Sequence, residues 1–153
     1  MKITDFLASG MIIPDLKGKE KKAVLNELAE WMAFQDRSLD AQKLFEVLLE
    51  REKVSSTAIG EGVAIPHGKM PGVRGVCGLF ARSLQGVNFD SMDGGPTYLF
   101  FLLIAPENSA ADHLKALARI SRLLKNTAFR ARLVRGKTRE EIFDAISEED
   151  QKI

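Results

Sequence analysis

Apolar residues in the first third of the chain recur at helical spacing in two segments. The first stripe lies in residues 19–34 and contains Val24, Leu25, Leu28, Trp31 and Met32. The second contains Ala41, Leu44, Phe45 and Leu48. Spacings of three and four residues are typical of one face of an α-helix. The pattern therefore predicts two consecutive helices, and Arg51 falls at the end of the second.

Two apolar runs in the middle of the chain predict β-strands, at Gly75–Leu84 and Thr97–Ala105. The second run is almost entirely apolar, which is typical of a central strand that is covered on both faces. A shorter run, Met11–Ile13, is closed by Pro14, and a strand that ends at proline is expected at a sheet edge.

The last third of the chain carries helix-start signals. Ser109-Ala-Ala-Asp112 has the spacing of a capping box, with Asp in the usual Glu position, and Thr138-Arg-Glu-Glu141 is a full capping box. The first of these helices is expected to turn Leu114, Leu117, Ile120 and Leu124 inward. Thr127–Val134 either continues that helix or kinks away from it. Helices that alternate with strands predict an α/β fold with a mixed sheet of four or five strands, in a single domain over residues 1–153.

A long segment, Ser55–Gly72, separates the second helix from the first long strand and contains four glycines and two prolines. We expect an ordered loop here, because loops of this length inside a domain are usually functional. Pro66 and Gly68 flank His67, and they predict that this histidine lies in a turn at the end of a short apolar strand, 63–65.

Composition excludes several classes of protein. The net charge of +1 argues against a nucleic-acid-binding protein, because the chain has no excess of positive charge to attract phosphates. The single cysteine cannot form an internal disulfide, which fits a reducing compartment. The first residues, Met1-Lys2-Ile3-Thr4-Asp5, do not resemble a signal peptide, and no apolar stretch is long enough to span a membrane. A soluble cytoplasmic protein is expected.

Four features could carry chemistry, and each also has a structural interpretation. His67 is a candidate nucleophile or proton carrier, or it only hydrogen-bonds a loop. His113, in the first turn of a helix, either donates to an anion or is a surface residue. Arg51 either clamps a phosphate or carboxylate or complements the helix dipole. Ser55, Ser56 and Thr57 either form a turn or donate to an anion near Arg51.

Three other kinds of site can be excluded, because the sequence lacks the spacing or the motif that each requires. The segment from Gly62 to Gly68 and Lys69 resembles a P-loop but has five intervening residues, and Met70 stands where magnesium needs Ser or Thr. Two histidines and one cysteine without paired spacing do not form a zinc site. A Ser-His-Asp hydrolase would need a Gly-x-Ser-x-Gly elbow, which this sequence lacks. No metal and no cofactor are predicted.

One continuous segment carries a family resemblance. Arg51-Glu-Lys-Val-Ser-Ser-Thr-Ala-Ile-Gly60, followed by Glu-Gly-Val-Ala-Ile-Pro-His67-Gly-Lys69, is similar to the signature of phosphotransferase-system enzyme IIA domains of the fructose/mannitol/nitrogen-regulatory type. Two N-terminal helices, the Pro-His segment, the apolar strand before Ala105-Pro106 and the helix start at Asp112–Leu114 follow in the order expected for that family.

The resemblance implies specific roles for the candidate residues. His67 would take a phosphoryl group, through Nε2, from a histidine-phosphorylated HPr-like carrier protein, with His113 and Arg51 holding the phosphoryl oxygens. Ser55–Thr57 and Gly68 would support the phosphate loop. The family commonly has Gly-Ser-Thr-Gly where this chain has Ser55–Ala58, and Asn where it has Glu61. These differences are expected to stiffen the loop and to add negative charge near the site.

The resemblance is compatible with two biological roles for the phosphoryl group. In that family, nitrogen-regulatory proteins are generally separate small proteins, whereas sugar-transport versions are often fused to other transporter domains. The Pro-His-Gly-Lys run and the absence of a fused segment in this sequence favour the regulatory branch, in which phosphorylation changes which target proteins bind. The alternative is a sugar-specific IIA protein that passes the phosphoryl group to a IIB domain. A third interpretation is a binding module on the same fold whose histidine is never phosphorylated.

Overall fold

Six strands and five α-helices form an α/β fold in the computed structural model, which describes residues 1–153. The elements are β1 (Ile12–Ile13), α1 (Lys21–Gln35), α2 (Ala41–Val54), β2 (Ala58–Gly60), β3 (Val63–Ala64), β4 (His67–Lys69), β5 (Cys77–Val87), β6 (Thr97–Ala105), α3 (Ala110–Leu124), α4 (Thr127–Arg135) and α5 (Arg139–Gln151). A short 3-10 turn, Ile3–Asp5, precedes β1. The predicted α/β class with helices flanking a mixed sheet is confirmed.

The sheet is built around β6. This strand pairs antiparallel with β5 on one side and parallel with both β3 and β4 on the other. β1 pairs parallel with β5 and forms one edge, as Pro14 predicts, and β2 pairs antiparallel with β3. Eight of the nine residues of β6 are buried, which accounts for its almost purely apolar sequence.

The sheet has six strands because the predicted loop 55–72 itself contributes β2, β3 and β4. Each of these strands has only two or three residues. The short apolar strand predicted at 63–65 is confirmed in its first two residues by β3, whereas β2 and β4 are too short for an apolar period to mark them in the sequence. The expectation that His67 lies in a turn is wrong, since His67 begins β4 with its Cα opposite Leu103. Pro66 cannot donate a backbone hydrogen bond, but its carbonyl accepts from Leu103 N at 3.0 Å and keeps the chain extended.

Side-chain caps explain where three of the helices begin. Asp40 accepts from the backbone of Lys43 at the start of α2, Asn126 separates α4 from α3 by accepting from Phe129, and Thr138 accepts from Glu141 at the start of α5. The box predicted at Ser109 does not form. Ser109 is the N-cap residue of α3, but its hydroxyl donates to Pro106 O at 3.1 Å instead of accepting from the helix.

One apolar core of 40 buried residues joins the sheet to the helices. Within it, α1 packs against α2, α2 contacts β4, and α3 contacts β6. The end of α2 and the beginning of α3 therefore both approach the short strand β4. No helix combines the length and the apolar character needed to cross a membrane.

Candidate functional site

A cleft of about 530 Å³ lies where α2, β4 and α3 approach one another. Its walls are formed by Val47, Arg51, His67, Gly68, Lys69, Ala110, His113, Leu114 and Leu117. Both histidines of the chain lie in this cleft, although 45 residues lie between them in the sequence. Parallel pairing of β4 with β6 accounts for this, because α3 follows directly from the end of β6.

His67 is half-buried, and one hydrogen bond fixes the protonation pattern of its ring. Nδ1 lies 2.6 Å from the carbonyl oxygen of Ile65. Because a carbonyl oxygen only accepts, Nδ1 carries the proton and donates it, so in the neutral ring the lone pair is on Nε2. Burial, and to a smaller extent the positive charge of Arg51, lower the pKa of His67, against the opposing effects of the Ile65 bond and Glu52. The imidazole is therefore neutral at pH 7.

His113 lies beside His67 with its ring 5.5 Å away and almost perpendicular, at 74°. It is buried near the start of α3, and its Nε2 has no hydrogen-bond partner within the protein. Burial lowers the pKa of His113, and the neighbouring His67 and Lys69 lower it further. An unpaired buried polar atom is costly, and a group bound in the cleft would remove that cost.

Arg51 lies in the last turn of α2, where a cation complements the helix dipole. Its Nη1 donates to the carbonyl of Ser55 at 2.9 Å, which anchors the guanidinium over the end of the helix. That bond uses one donor, and the guanidinium carries further N–H groups at the cleft wall. The geometry allows Arg51 to bind an anion without losing its structural contact.

The structure places the predicted supporting residues in two groups. Gly68 lines the cleft, and a Cβ at this position would lie 2.6 Å from Val47 Cγ1, so glycine allows β4 to approach α2 closely. The hydroxyls of residues 55–57 are not brought into the cleft lining. Ser56 donates to Phe89 O at 2.6 Å, the buried Thr57 donates to Glu52, and Ser55 is exposed.

Sequence reasoning missed two charged residues beside the histidines. Lys69 lines the cleft and lies close enough to affect His113. Glu52 is buried, at 7% exposure, and affects His67. A signal for Glu52 was present: it continues the buried positions Leu44 and Leu48 at four-residue steps, so a carboxylate occupies the apolar face of α2.

The apolar rim of the cleft also differs from expectation. Leu114 was predicted to point inward, but it is 67% exposed. Ile120 and Leu124, further along α3, are buried as predicted. The buried face of α3 runs through His113, Ala116 and Ile120, so Leu114 lies off that face and lines the cleft together with Val47.

A family comparison covers nearly the whole chain. The model of the family described as phosphoenolpyruvate-dependent sugar phosphotransferase system, EIIA 2, matches residues 5–149. The chain belongs to this family. The resemblance carried by the segment from Arg51 to Lys69 is thus confirmed over nearly the whole chain.

Individual relatives support the same assignment. The chain is 47% identical over 147 residues to a nitrogen regulatory protein of Bradyrhizobium diazoefficiens, covering 96% of this chain and 95% of the relative. It is 38% identical over 151 residues to the fructose-specific EIIABC component of the Bacillus subtilis phosphotransferase system, covering 99% of this chain and 24% of that longer protein. The crystal structure of nitrogen regulatory protein IIA-Ntr from Neisseria meningitidis superposes with a TM-score of 0.88 at 34% identity, covering 94% of this chain and 98% of that one.

Proposed function

We propose that this IIA domain is a phosphocarrier in which His67 Nε2 accepts a phosphoryl group from a histidine-phosphorylated, HPr-like carrier protein. The observation that carries the proposal is the bond from His67 Nδ1 to Ile65 O. It assigns the lone pair to Nε2 on a ring that burial keeps neutral, which is the state that a nucleophile requires.

Transfer needs no net change of protons. A bond forms between His67 Nε2 and phosphorus, the bond from phosphorus to the carrier's imidazole nitrogen breaks, and its electron pair returns to that nitrogen. The transition state is loose, with negative charge spread over three equatorial oxygens, so the protein contributes mainly positioning and electrostatic stabilisation. Arg51, Lys69 and His113 are the groups around the cleft that supply this stabilisation.

His113 has a role in this scheme that fits its unsatisfied nitrogen. When Nε2 carries a proton, it can donate to a phosphoryl oxygen and so gain the partner that it lacks in the free protein. The negative charge of the phosphoryl group also opposes the burial that lowers the pKa of His113. Phosphorylation of His67 and protonation of His113 therefore favour each other.

The cleft also suits a phosphohistidine that must survive until it meets its next partner. No carboxylate lines the cleft, so no carboxylate base lies there to activate water. The apolar rim of the cleft, formed by the exposed Leu114 and the partly buried Val47 and Leu117, supplies contact area for a docked protein partner.

For the use of the phosphoryl group, we propose regulation of the nitrogen type, in which phosphorylated and unphosphorylated forms bind different target proteins. The nitrogen regulatory relatives, matched over nearly their full length, support this choice. A phosphoryl group adds close to two negative charges to one surface, which is sufficient to change partner choice. Transfer to a IIB domain for sugar uptake is the second candidate, and the fructose-specific relative favours it.

The proposal is tested by phosphorylation from a defined chain of donors. The protein is incubated with phosphoenolpyruvate, enzyme I and a cognate HPr-like carrier, and acid-labile phosphate is measured on wild type and on His67→Ala. Wild type is expected to be labelled and the variant is not. An unlabelled wild type, with the carrier itself phosphorylated, would leave only the binding-module interpretation.

Regulation and sugar transport are separated by a second step. Phosphorylated wild type is mixed with candidate IIB domains of the fructose and mannitol types, and loss of label from His67 is followed over time. A regulatory protein is expected to retain its label, whereas rapid transfer to one IIB domain would show a transport role.

A further inference from the structure

A continuous series of hydrogen bonds joins the buried carboxylate of Glu52 to the imidazole of His67. Glu52 Oε1 accepts from Thr57 N at 3.0 Å, and Oε2 accepts from the Thr57 hydroxyl. Thr57 O accepts from Ile65 N at 3.1 Å. Ile65 O in turn accepts from His67 Nδ1 at 2.6 Å. From Glu52 to Thr57, Ile65 and His67, each residue is thus hydrogen-bonded to the one before it in the series.

We propose that Glu52 is a positioning residue for phosphoryl transfer, acting through Thr57 and Ile65 to hold the carbonyl that selects the Nδ1-protonated form of His67. The inference rests on the proposed function of His67, which it extends to a residue outside the cleft lining. A free imidazole exchanges its proton between the two nitrogens, and only the Nδ1-protonated form presents Nε2 as a nucleophile. The position of Ile65 O therefore controls how much of the protein is reactive.

Glu52 is built into this position at a cost that packing alone does not require. A leucine would continue the buried stripe of α2, whereas a buried carboxylate must be desolvated and fully paired. Pairing is complete here: Thr57 supplies two donors, and Lys21 Nζ lies 3.0 Å from Oε1. Lys21 is itself held at the start of α1, with Nζ 4.9 Å from the centre of the Phe89 ring.

The segment that Glu52 contacts is held on its other side by β6, which pairs with β3 and β4 on either side of Ile65. β2 and β3 are short and pair irregularly, with a shift of register between Ala58 and Gly60. Thr57 precedes β2 and Ile65 follows β3, so the bond from Ile65 N to Thr57 O continues the register of Ala58 with Ala64. The N–H of Thr57 bonds to Glu52 instead of to the facing strand. Without the carboxylate, Thr57 loses the acceptors of its N–H and hydroxyl. We expect Ile65, which Thr57 O supports through the Ile65 N–H, then to hold its carbonyl less precisely against His67.

The test measures the tautomer of His67 directly. Ring ¹⁵N chemical shifts are recorded on the unphosphorylated protein above the pKa of the histidine, for wild type, Glu52→Gln and Glu50→Gln. Glu50 is the matched control, because it lies on the same helix but is exposed and pairs only with Lys53. The same three proteins are then labelled by phosphorylated carrier at several carrier concentrations.

Wild type and Glu50→Gln are expected to show a single Nδ1-protonated form. Glu52→Gln is expected to show the Nε2-protonated form as well, and its maximal labelling rate should fall about two- to tenfold, in proportion to the reactive fraction. The carrier concentration at half-maximal rate should not change, because the rim of the cleft is intact. Labelling that slows with the tautomer unchanged would show a merely structural role and overturn the proposal, as would a wild-type rate.

A second pair of variants decides the question if Glu52→Gln does not fold. Thr57→Val removes only the hydroxyl donor, and Thr57→Ser keeps it. The proposal requires the Nε2-protonated form to appear in the valine variant and not in the serine variant, and equal spectra would overturn it. Because the tautomer is measured without phosphorylation, this outcome is distinct from a failure of wild type to be labelled, which would reject the proposed function instead.

Discussion

His67 and His113 face each other with ring centres 5.5 Å apart, and they differ in which nitrogens are satisfied. His67 donates from Nδ1 to Ile65 O, whereas His113 has a buried Nε2 without a partner. The ring of His67 is therefore fixed in one tautomer, whereas Nε2 of His113 makes no hydrogen bond within the protein. Under the proposed function this difference separates the acceptor from the residue that stabilises the transferred group.

Replacing His113 by alanine is expected to slow labelling of His67 without abolishing it. Removing one preorganised donor to a developing charge typically costs on the order of a hundredfold in rate. The measurement is single-turnover labelling with excess phosphorylated carrier, and Ser121→Ala on the same helix is the control. A wild-type rate in His113→Ala would show that this residue does not act on the phosphoryl group.

Arg51→Ala is expected to slow labelling, and Arg51→Lys should recover only part of the rate. Lysine restores the charge near His67 but not the planar pair of N–H donors that binds two phosphoryl oxygens at once. The comparison of the two variants in the same labelling assay separates charge from geometry. If lysine restores the full rate, bidentate binding has no part in the reaction, and if alanine does so, Arg51 only caps α2.

Gly68→Ala is expected to destabilise the protein by about 1–3 kcal/mol, the usual cost of overpacking. The added Cβ would lie 2.6 Å from Val47 Cγ1, so α2 and β4 must separate at the cleft. The control is Gly75→Ala, whose added Cβ has no heavy atom within 4 Å. Urea unfolding measures the free energy of each, and equal stabilities would mean that Val47 moves aside without strain.

Stability should fall as the pH decreases below 6.5, the ordinary pKa of histidine. Burial lowers the pKa of both histidines in the folded protein, so the unfolded chain binds more protons in the window between that value and the lowered one. Each histidine is neutral in both states above the window and contributes no dependence there. Urea unfolding at several pH values measures how the free energy of unfolding changes with pH in this window. The change should be smaller in His67→Gln and in His113→Gln than in wild type. An unchanged pH dependence in both variants would contradict the lowered pKa values of the two histidines.

Long apolar patterns made much of this fold predictable. The bounds of β6 follow from its sequence, and the predicted second helix begins at Ala41 as observed, because burial imposes a repeat over many residues. The apolar residues 63–65 predicted β3, but β2 and β4 were not predictable, since each has only three residues and depends on pairing with its neighbours. His67 lies in a strand instead of in a turn because β4 pairs with β6.

The candidate site was predictable in its residue types and not in its contacts. Arg51, His67 and His113 were selected from motif and spacing, and the structure brings all three into one cleft. The series from Glu52 to Ile65 was not predictable, because it depends on backbone groups whose partners only the folded chain defines. Nor did the sequence indicate that the Thr57 hydroxyl would not line the cleft. In the structure this hydroxyl donates to the buried carboxylate of Glu52, five residues earlier.

The most direct test of the central claim is to identify the phosphorylated nitrogen. The protein, labelled with ¹⁵N in its histidines, is phosphorylated by its carrier, and the ring nitrogens of His67 are assigned by NMR spectroscopy. A single phosphohistidine is expected at His67, with phosphorus bonded to Nε2 and the proton retained on Nδ1. Phosphorus on Nδ1, or on His113, would contradict the proposed function.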